Sequence, residues 1–558
     1  MPEFETSGYR YRKGPLAVML PMRPQRDACV MGQEDGTERQ SAAGAQSRLI
    51  HRRQSRSPDA PPGFSDQATS GSAAPATPDP RRWHALAVSQ VAALMSLLDV
   101  SIVNVALPSI ERGLGASAGT AQWVVSGYAL TMGLVLVAAG RLGDLLGRRR
   151  MFLIALSAFV VTSGLSGAAP SMAMLIAARL LQGVAAGMLI PQNSGLIQDL
   201  FRGAERGRAF GILGATVGLS TAAGPVIGGL ILSAFPGPDG WRWVFYVNLP
   251  IGLIALLLAA RLIPSTTRRG SGRLQLDLVG ALLLGAGVLS LLLPMVTGET
   301  GGLGQTWPLF GLAGLLLAVF AWWEVRVARK GWQPLLDPRL AHTSGYVAGS
   351  GISVAYFSGF TGIWLVLALF FQDGLGYSPL RSGLAVTPFA LGVAVSAAIA
   401  GRLVARLGRW LTVSGLVAVI VGLFAVALVL RNVGGDAAAW AVAGPLLLAG
   451  LGGGMVTSPN MTLTLQDVPV SMAGAAGGAL QTAQRIGAAI GTALLATVYY
   501  QVLAGTGSDP SDAVSDALLA ACGFMALALL MAVTELARRR SRRLQQPTPS
   551  AAPNEHHI

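Results

Sequence analysis

Two charged side chains lie inside apolar stretches of this sequence. Asp99 lies within 97–110 and Arg179 within 178–188. An arginine near the centre of a bilayer costs about 2.5–3.5 kcal/mol on insertion scales, so charges at such positions usually form pairs or serve a function. Burial disfavours an ionised carboxylate and a nearby guanidinium favours it, so a change in their separation binds or releases a proton. We predict that Asp99 is the proton-binding group and that Arg179 is a fixed positive charge.

The alternative for Asp99 is that the first span is shorter and that this carboxylate lies at the outer interface. Apolar residues continue from Asp99 through Leu107, which extends a helix by about 12 Å beyond the carboxylate. Arg179 lies at a similar depth, about 10 Å inside the outer end of its own stretch. The matching depth favours a buried pair.

Three further polar side chains are predicted to line a substrate cavity. Asn104 follows Asp99 in the first stretch, and Gln182 lies one turn after Arg179 on the same helical face. Arg485 is a second intramembrane guanidinium, and the spans of the second half offer no evident carboxylate partner. It either hydrogen-bonds backbone carbonyls or binds an anionic substrate group, and both interpretations stay open.

The composition is that of a polytopic membrane protein, with 52% hydrophobic and 12% charged residues and a mean hydropathy of +0.54. From Trp83 onward, apolar runs of about 20 residues, each long enough to cross a bilayer as a helix, follow one another between short loops. The fourteen predicted spans are 83–107, 121–140, 151–169, 172–193, 208–233, 243–263, 277–296, 307–325, 344–371, 382–404, 410–430, 439–463, 475–502 and 514–535.

The basic residues orient these spans. The net charge is +14, but the arginines lie in short loops between apolar runs, which indicates membrane topology instead of nucleic-acid binding. By the positive-inside rule, both termini face the cytoplasm and the protein is a multi-pass component of the cytoplasmic membrane. The cytoplasmic basic residues are Arg141, Arg148–Arg150, Arg202, Arg206, Arg208, Arg268, Arg269, Arg273, Arg326, Arg329, Lys330, Arg402, Arg406, Arg409 and Arg538–Arg543.

An internal repeat divides the chain into two halves. The segment 140–148 is echoed by 401–409, at an offset of 261 residues, and each copy follows the second span of a six-span block. Such repeats are typical of transporters whose site lies between two halves. We predict an all-α polytopic fold: a disordered cytoplasmic tail (1–80), a six-helix bundle (81–265), two inserted helices with flanking loops (266–340), a second six-helix bundle (341–536) and a basic cytoplasmic tail (537–558).

The first copy of the repeat is a candidate gating loop, formed by Gly140, Asp144, Gly147 and Arg148. Its arginines alone would indicate only topology. An acid among them can accept hydrogen bonds from arginine or from the N-terminus of the following helix. Such contacts would hold the cytoplasmic side closed in one conformation and break in the other.

The stretch 210–229 is dense in glycine, with Gly-x-x-x-Gly spacings that allow helices to approach closely in lipid. The spacings are Gly214 to Gly218 and Gly224 to Gly228; Pro225 lies within the second and is expected to bend the helix. The candidate residues of this segment are Gly214, Gly218, Gly224, Pro225, Gly228 and Gly229.

Together these segments resemble the fourteen-span drug:proton antiporter branch (EmrB/QacA type) of the major facilitator superfamily. The similar segments are 98–108, the loop 140–150, 179–187, 214–229 and the start of the sixth span, 241–250. The resemblance implies the major facilitator fold, proton coupling by Asp99 and Arg179, and gating by the Asp144 loop. It also implies that Gly224 and Pro225 give transport the outward bias that is typical of exporters. The chain departs from the pattern where Leu145 replaces a frequent basic residue. A second departure is Ala405, which replaces the acid of the second copy.

The predicted function is proton-driven export of a small hydrophobic or amphipathic drug or antibiotic by a monomer, with the proton gradient as energy source and no cofactor. Two cysteines and scattered histidines offer no metal-ligand spacing, and no nucleophile–base pair is evident, so an enzyme is not predicted. The alternatives are a proton-coupled symporter that imports a solute, and a non-transporting membrane receptor or enzyme on this scaffold.

Overall fold

The computed structural model describes residues 80–265, 277–298, 306–505 and 509–545. The predicted N-terminal tail up to residue 79, the loop arginines Arg268, Arg269 and Arg273, and residues 546–558 of the predicted basic tail lie outside the described residues. Throughout the described ranges the secondary structure is helical, without a strand. The long helices are α1 Arg82–Leu114, α2 Ala118–Leu146, α3 Arg148–Gly167, α4 Met172–Leu200, α5 Gly203–Ala234, α6 Gly240–Leu262, α7 Leu278–Gly298, α8 Pro308–Arg329, α9 Ser344–Gly374, α10 Pro379–Leu407, α11 Arg409–Asn432, α12 Gly435–Thr464, α13 Val470–Leu503 and α14 Pro510–Gln545.

Thirteen of these described helices are long and apolar enough to cross a membrane. The remaining one, α7, is apolar over the shorter run Leu278–Pro294. The all-helical, multi-span prediction is confirmed, whereas the layout of fourteen spans stays a prediction. Several helices extend beyond their predicted spans, such as α1 to Leu114 and α14 to Gln545, because intrahelical hydrogen bonds continue where the apolar run ends.

Single glycines join the second and third helices of each half. Gly147 separates α2 from α3 with φ 93°, and Gly408 separates α10 from α11 with φ 53°. Only glycine adopts these positive φ values without strain. The two positions are equivalent in the internal repeat, so both halves turn between long helices in the same way.

The first bundle (α1–α6) and the second bundle (α9–α14) meet along two helix pairs. Helix α5 packs against α10, and α2 packs against α13; the repeat relates these two pairs to each other. Helices α7 and α8 pack together, and α7 contacts both α2 and α13, with Leu130, Val288 and Leu292 buried at that contact. The inserted helices therefore cover one seam between the bundles.

Exposed tryptophans lie near both ends of the helices. Trp332 and Trp410 are about 60% exposed at the end where α2, α4 and α10 terminate, and Trp307 and Trp440 are 66% and 84% exposed at the other end. Tryptophans are enriched at membrane interfaces in this way. The end that carries the α2–α3 and α10–α11 junctions is called the basic end below.

Candidate functional site

The structure brings Asp99 of α1 and Arg179 of α4 together. Arg179 Nη1 lies 2.5 Å from Asp99 Oδ2, and neither side chain is exposed. Arg179 Nε also donates to the backbone carbonyl of Val124 on α2, at 2.9 Å. The alternative that Asp99 lies at an exposed interface does not hold in this conformation, because the residue is only 1% exposed.

Two amide side chains complete the surroundings of Asp99. Gln182 Nε2 and Asn248 Nδ2 both donate to Asp99 Oδ1, at 3.2 Å and 3.0 Å. The ring of Tyr128 lies 4.2 Å below the guanidinium of Arg179 and contributes a cation–π contact. Asp99 thus accepts hydrogen bonds from three N–H donors on two other helices.

Asn248 and Tyr128 were not among the residues predicted from the sequence. Asn248 belongs to the segment 241–250, where the resemblance pointed to the start of the sixth span without assigning this side chain a role. Asn248 also donates to Ser163 Oγ of α3 at 3.1 Å. It therefore links α6 to both α1 and α3.

The three residues predicted to line a cavity lie in different surroundings. Gln182 is fully buried, and its Oε1 accepts from Arg179 Nη1 at 2.8 Å, so the structure places it within the ion-pair network instead of on a cavity wall. Asn104 is exposed in the outer half of α1, and Arg485 is half-buried on α13. Arg485 lies close enough to Tyr128 for an electrostatic interaction across the two bundles.

An aromatic cluster lies on the inner helices of the second bundle and was not predicted. Phe360 and Trp364 of α9 pack against Phe389 of α10, with ring centroids 5.6 Å and 5.2 Å apart, and Tyr356 stacks on Phe360 at 5.3 Å. The Trp364 indole nitrogen is buried and has no acceptor among the described residues. Tyr356, Phe360 and Trp364 recur every four residues on one face of α9, a spacing that could have revealed part of the cluster, whereas only helix packing brings Phe389 of α10 to it.

At the basic end, Asp144 joins the two bundles. Its carboxylate accepts from the backbone N–H groups of Gly474 and Ala475, both at 3.1 Å. These groups lie in the first turn of the helical segment Ala473–Leu503 of α13, where the helix dipole favours a negative charge. The sequence predicted a contact with arginine or with the N-terminus of the following helix, α3; the helix N-terminus that Asp144 contacts is that of α13, in the other bundle.

Arg148 holds the Asp144 carboxylate in position. Arg148 Nη2 lies 2.5 Å from Asp144, and Arg148 Nε lies 3.0 Å from Asp199 at the end of α4. Gly140 makes the approach possible, because the place of a Cβ on Gly140 is occupied by the carbonyl of Gly474. Residues of the candidate gating loop thus form a cluster that joins the two bundles at this end.

Glu535 of α14 was not among the residues predicted from the sequence. It is buried, with 6% exposed, and lies 2.6 Å from Arg409 Nη2. The predicted span ended at Glu535, whereas α14 continues to Gln545. The carboxylate is buried because the end of α14 packs against α11.

The two Gly-x-x-x-Gly spacings of α5 serve different partners. A Cβ on Gly218 would lie 2.9 Å from the backbone nitrogen of Ala394 on α10, and one on Gly214 would lie 3.0 Å from Ala397. Gly224 faces Ser101 of α1 instead. The first spacing, Gly214 to Gly218, therefore packs between the bundles.

The second spacing, Gly224 to Gly228, packs within the first bundle. A Cβ on Gly228 would lie 3.3 Å from the Ile102 carbonyl of α1, whereas one on Gly229 would have Leu380 as its nearest contact at 3.9 Å. Pro225, within the second spacing, contacts α10 at Gly383. This stretch thus holds α5 between α1 and α10.

Comparison with known proteins agrees with this geometry. The family model described as Major Facilitator Superfamily matches residues 91–492. The chain is 36% identical to the "Probable actinorhodin transporter" of Streptomyces coelicolor, over 80% of this chain and 77% of that protein. It is 39% identical to the "Puromycin resistance protein pur8" of Streptomyces alboniger, over 76% and 84%. It is also 32% identical to the "Tetracenomycin C resistance and export protein" of Streptomyces glaucescens, over 74% and 75%.

Solved structures show the same fold at low sequence identity. The human organic anion transporter MFSD10 (TETRAN) matches with a TM-score of 0.61 and 16% identity, over 81% of this chain and all of that chain. The proton:xylose symporter XylE matches with a TM-score of 0.56 and 16% identity, over 80% and 95%. The family match, the relatives and the fold agree, and the chain belongs to the major facilitator superfamily of membrane transporters.

Proposed function

We propose that this transporter is a proton-coupled antiporter that exports small hydrophobic or amphipathic compounds, antibiotics among them, across the cytoplasmic membrane by alternating access. The observation that carries the proposal is the buried Asp99–Arg179 pair. A buried ion pair is weak evidence for stability, and charges within a membrane mark proton or substrate pathways. Relatives named for antibiotic transport, resistance and export support the direction.

The proton acts on the charge balance around Arg179. Asp99 accepts three N–H donors in this conformation. When Asp99 binds a proton from the outer side, it loses the charge that balances Arg179, and the contact between α1 and α4 weakens. Release of the proton to the cytoplasm restores the pair, so each cycle exchanges a proton for a substrate molecule.

Helix α4 connects this pair to the basic end. Arg179 and Asp199 lie on the same helix, about 30 Å apart at 1.5 Å per residue. Asp199 binds Arg148, Arg148 binds Asp144, and Asp144 binds the start of α13. A displacement of α4 at Arg179 therefore changes the contact that joins the two bundles. With the basic end in the cytoplasm, this conformation is closed on the cytoplasmic side.

The aromatic cluster supports a hydrophobic substrate. On the two helices of the second bundle that follow the inserted pair, the half-buried rings of Phe360 and Trp364 pack against Phe389, which is 2% exposed, and the Trp364 N–H has no partner in the described residues. In this proposal the aromatic cluster binds apolar ring systems through stacking, and the Trp364 N–H is the donor for a polar substituent.

The test uses inside-out vesicles with an acidic interior. We expect the wild type to accumulate a fluorescent drug in exchange for protons, and Asp99→Asn to abolish this accumulation. The control Asp436→Asn removes a carboxylate that is 86% exposed, beside Arg381, and keeps full transport. Undiminished accumulation in Asp99→Asn would contradict proton coupling through this residue. Substrate movement in the same direction as protons would identify an importer instead.

A further inference from the structure

Two carboxyl groups of the inserted helices take no part in the networks described above. Asp277 directly precedes α7, and Glu324 lies near the end of α8, so both are at the basic end. Glu324 is 3% exposed, and the two carboxyl groups lie within hydrogen-bonding reach of each other. A Cβ on Gly280 would lie 2.5 Å from Glu324 Oε1 and 2.7 Å from Asp277 Oδ2. Glycine at this position leaves the space in which the two groups meet.

The hydrogen bonds distinguish the two carboxyl groups. Both oxygens of Asp277 accept from the Trp323 indole nitrogen, at 3.0 Å and 2.9 Å, and Oδ1 also accepts from Gly280 N at 2.8 Å. Glu324 Oε2 accepts from Leu336 N at 3.0 Å, whereas its Oε1 is buried without a donor in the described part of the chain. Both oxygens of Asp277 thus have N–H donors, whereas Glu324 Oε1 has none among the described residues.

Among the residues that the structure describes, the charged groups near the pair do not compensate a double negative charge. On α8, Arg326 and Lys330 lie over the rings of Trp322 and Trp332, and Arg329 is exposed. From α2, Arg141 donates to Gln333 at 2.8 Å. The packed face of α13 contributes the uncharged Ala479. Across the described ranges, neither Asp277 nor Glu324 forms an ion pair.

We propose that Asp277 and Glu324 bind one shared proton, as a second proton-binding site distinct from the Asp99–Arg179 pair. Glu324 Oε1 carries the proton and donates it in a hydrogen bond to Asp277 Oδ2. This single proton gives the buried Oε1 its partner and removes the repulsion between adjacent carboxylates. The two groups titrate as a unit.

The proton site adjoins the segment 331–337, called the strap, which connects α8 to the second bundle. Glu324 binds the strap at Leu336 N, and Arg141 of α2 binds it at Gln333. Leu335 is 1% exposed and packs with Val137 of α2. The strap therefore crosses the seam where α2 meets α13. Loss of the shared proton places two negative charges side by side and separates α7 from α8, so proton binding is linked to closure of the basic end.

Infrared difference spectroscopy tests the site directly on the full chain in lipid nanodiscs. We expect the wild type at neutral pH to show a protonated-carboxyl band that disappears at high pH. Glu324→Gln and Asp277→Asn each remove this band, and Glu205→Gln, a partly exposed carboxylate paired with Arg82, leaves it intact. A band that persists in both variants of the pair would overturn the proposal. So would calorimetric binding of Mg²⁺ or Na⁺ to the wild type that Glu324→Gln abolishes, because the site would then hold a metal cation.

A cross-linking measurement tests the link to the strap. Arg141→Cys and Gln333→Cys are combined in a chain without the native cysteines. We expect the disulfide yield to fall as pH rises through the titration of the band, and to be independent of pH when Glu324→Gln is added. A pH-independent yield in both chains would refute the link. Neither measurement requires transport, and Asp99→Asn keeps the infrared band, so failure of this proposal is distinguishable from failure of the antiport proposal.

Discussion

Arg409 at the start of α11 and Glu535 near the end of α14 form an ion pair of 2.6 Å with 2% and 6% of their side chains exposed. Arg409 Nη1 also donates to Asn460 Oδ1 of α12 at 2.5 Å. The pair connects three helices of the second bundle at the basic end.

The internal repeat places Arg409 at the position of Arg148. The positions of Asp144 and Asp199 are taken in the second half by Ala405 and Asn460, so neither acid of the first cluster is repeated. Asp144 binds across the two bundles, whereas Glu535 replaces its charge from within one bundle. The first half therefore carries the ionic latch between bundles, and the second half carries a structural ion pair.

Glu535→Gln is expected to lower stability strongly, because it leaves the buried charge of Arg409 uncompensated. Breaking a buried pair in this way costs about 3–5 kcal/mol in free energy of unfolding. Thermal unfolding of the purified protein measures the effect. Asp516→Asn breaks the exposed pair with Arg431 and should cost about 0–1 kcal/mol; equal losses in both variants would contradict the structural role of Glu535.

Asn248→Ala is expected to weaken proton-coupled transport. The substitution removes one of the three N–H donors to Asp99 and the link from α6 to α1 and α3. A hydrogen bond to a carboxylate is worth about 1.5–3 kcal/mol, so drug/proton exchange in vesicles should fall by about tenfold to a hundredfold. Ser163→Ala removes only the other partner of Asn248, and an equal loss there would argue against a direct effect on Asp99.

Asp144→Asn is expected to open the basic end more often. The neutral amide still accepts hydrogen bonds, but it loses its attraction to Arg148 and to the N-terminal end of α13, and charge-assisted bonds are about twice as strong as neutral ones. Ser194 accepts a hydrogen bond from Gln481 of α13, so a cysteine introduced there reports on opening between the bundles. If the latch loses about 1.4 kcal/mol of stabilisation, this cysteine should react with a membrane-impermeant reagent about tenfold faster. In inverted vesicles the reagent reaches the cytoplasmic end, and unchanged reactivity there would refute the latch.

Gly224→Ala and Gly229→Ala should differ although they are five positions apart on the same helix. A Cβ on Gly224 would overlap Ser101 of α1, whereas one on Gly229 would meet nothing closer than 3.9 Å. Overpacking costs about 1–3 kcal/mol, so Gly224→Ala should lower the unfolding temperature and Gly229→Ala should not. Similar unfolding temperatures for the two variants would show that α1 yields at this contact.

Trp364→Ala is expected to weaken export of planar aromatic compounds more than export of aliphatic ones. Ring stacking contributes about 0.5–1.5 kcal/mol, so the half-saturating concentration of an aromatic substrate should rise by about threefold to tenfold. Transport of an aromatic and an aliphatic amphiphile in the same vesicles measures the difference. Trp440→Ala, at a residue 84% exposed, serves as the control; a loss shared equally by both substrates would indicate a structural effect instead.

The sequence by itself determined where the helices run and which charges lie within them. Long apolar runs specify spans without reference to the rest of the chain, because a helix satisfies its own backbone hydrogen bonds in lipid. Asp99 and Arg179 could be paired from their matching depth, since depth follows from position along a helix. The glycine spacings of α5 likewise predicted close packing.

Only the tertiary structure decided the partners. Asp144 binds Gly474, 330 residues along the chain, and Glu535 replaces an acid missing from the repeat; both depend on which helix ends are neighbours. Asn248 joins the Asp99 network, and the Asp277–Glu324 pair forms between two inserted helices, for the same reason. Hydropathy and residue spacing report how deep a side chain lies, whereas its partner depends on how helices distant in sequence pack and rotate against one another.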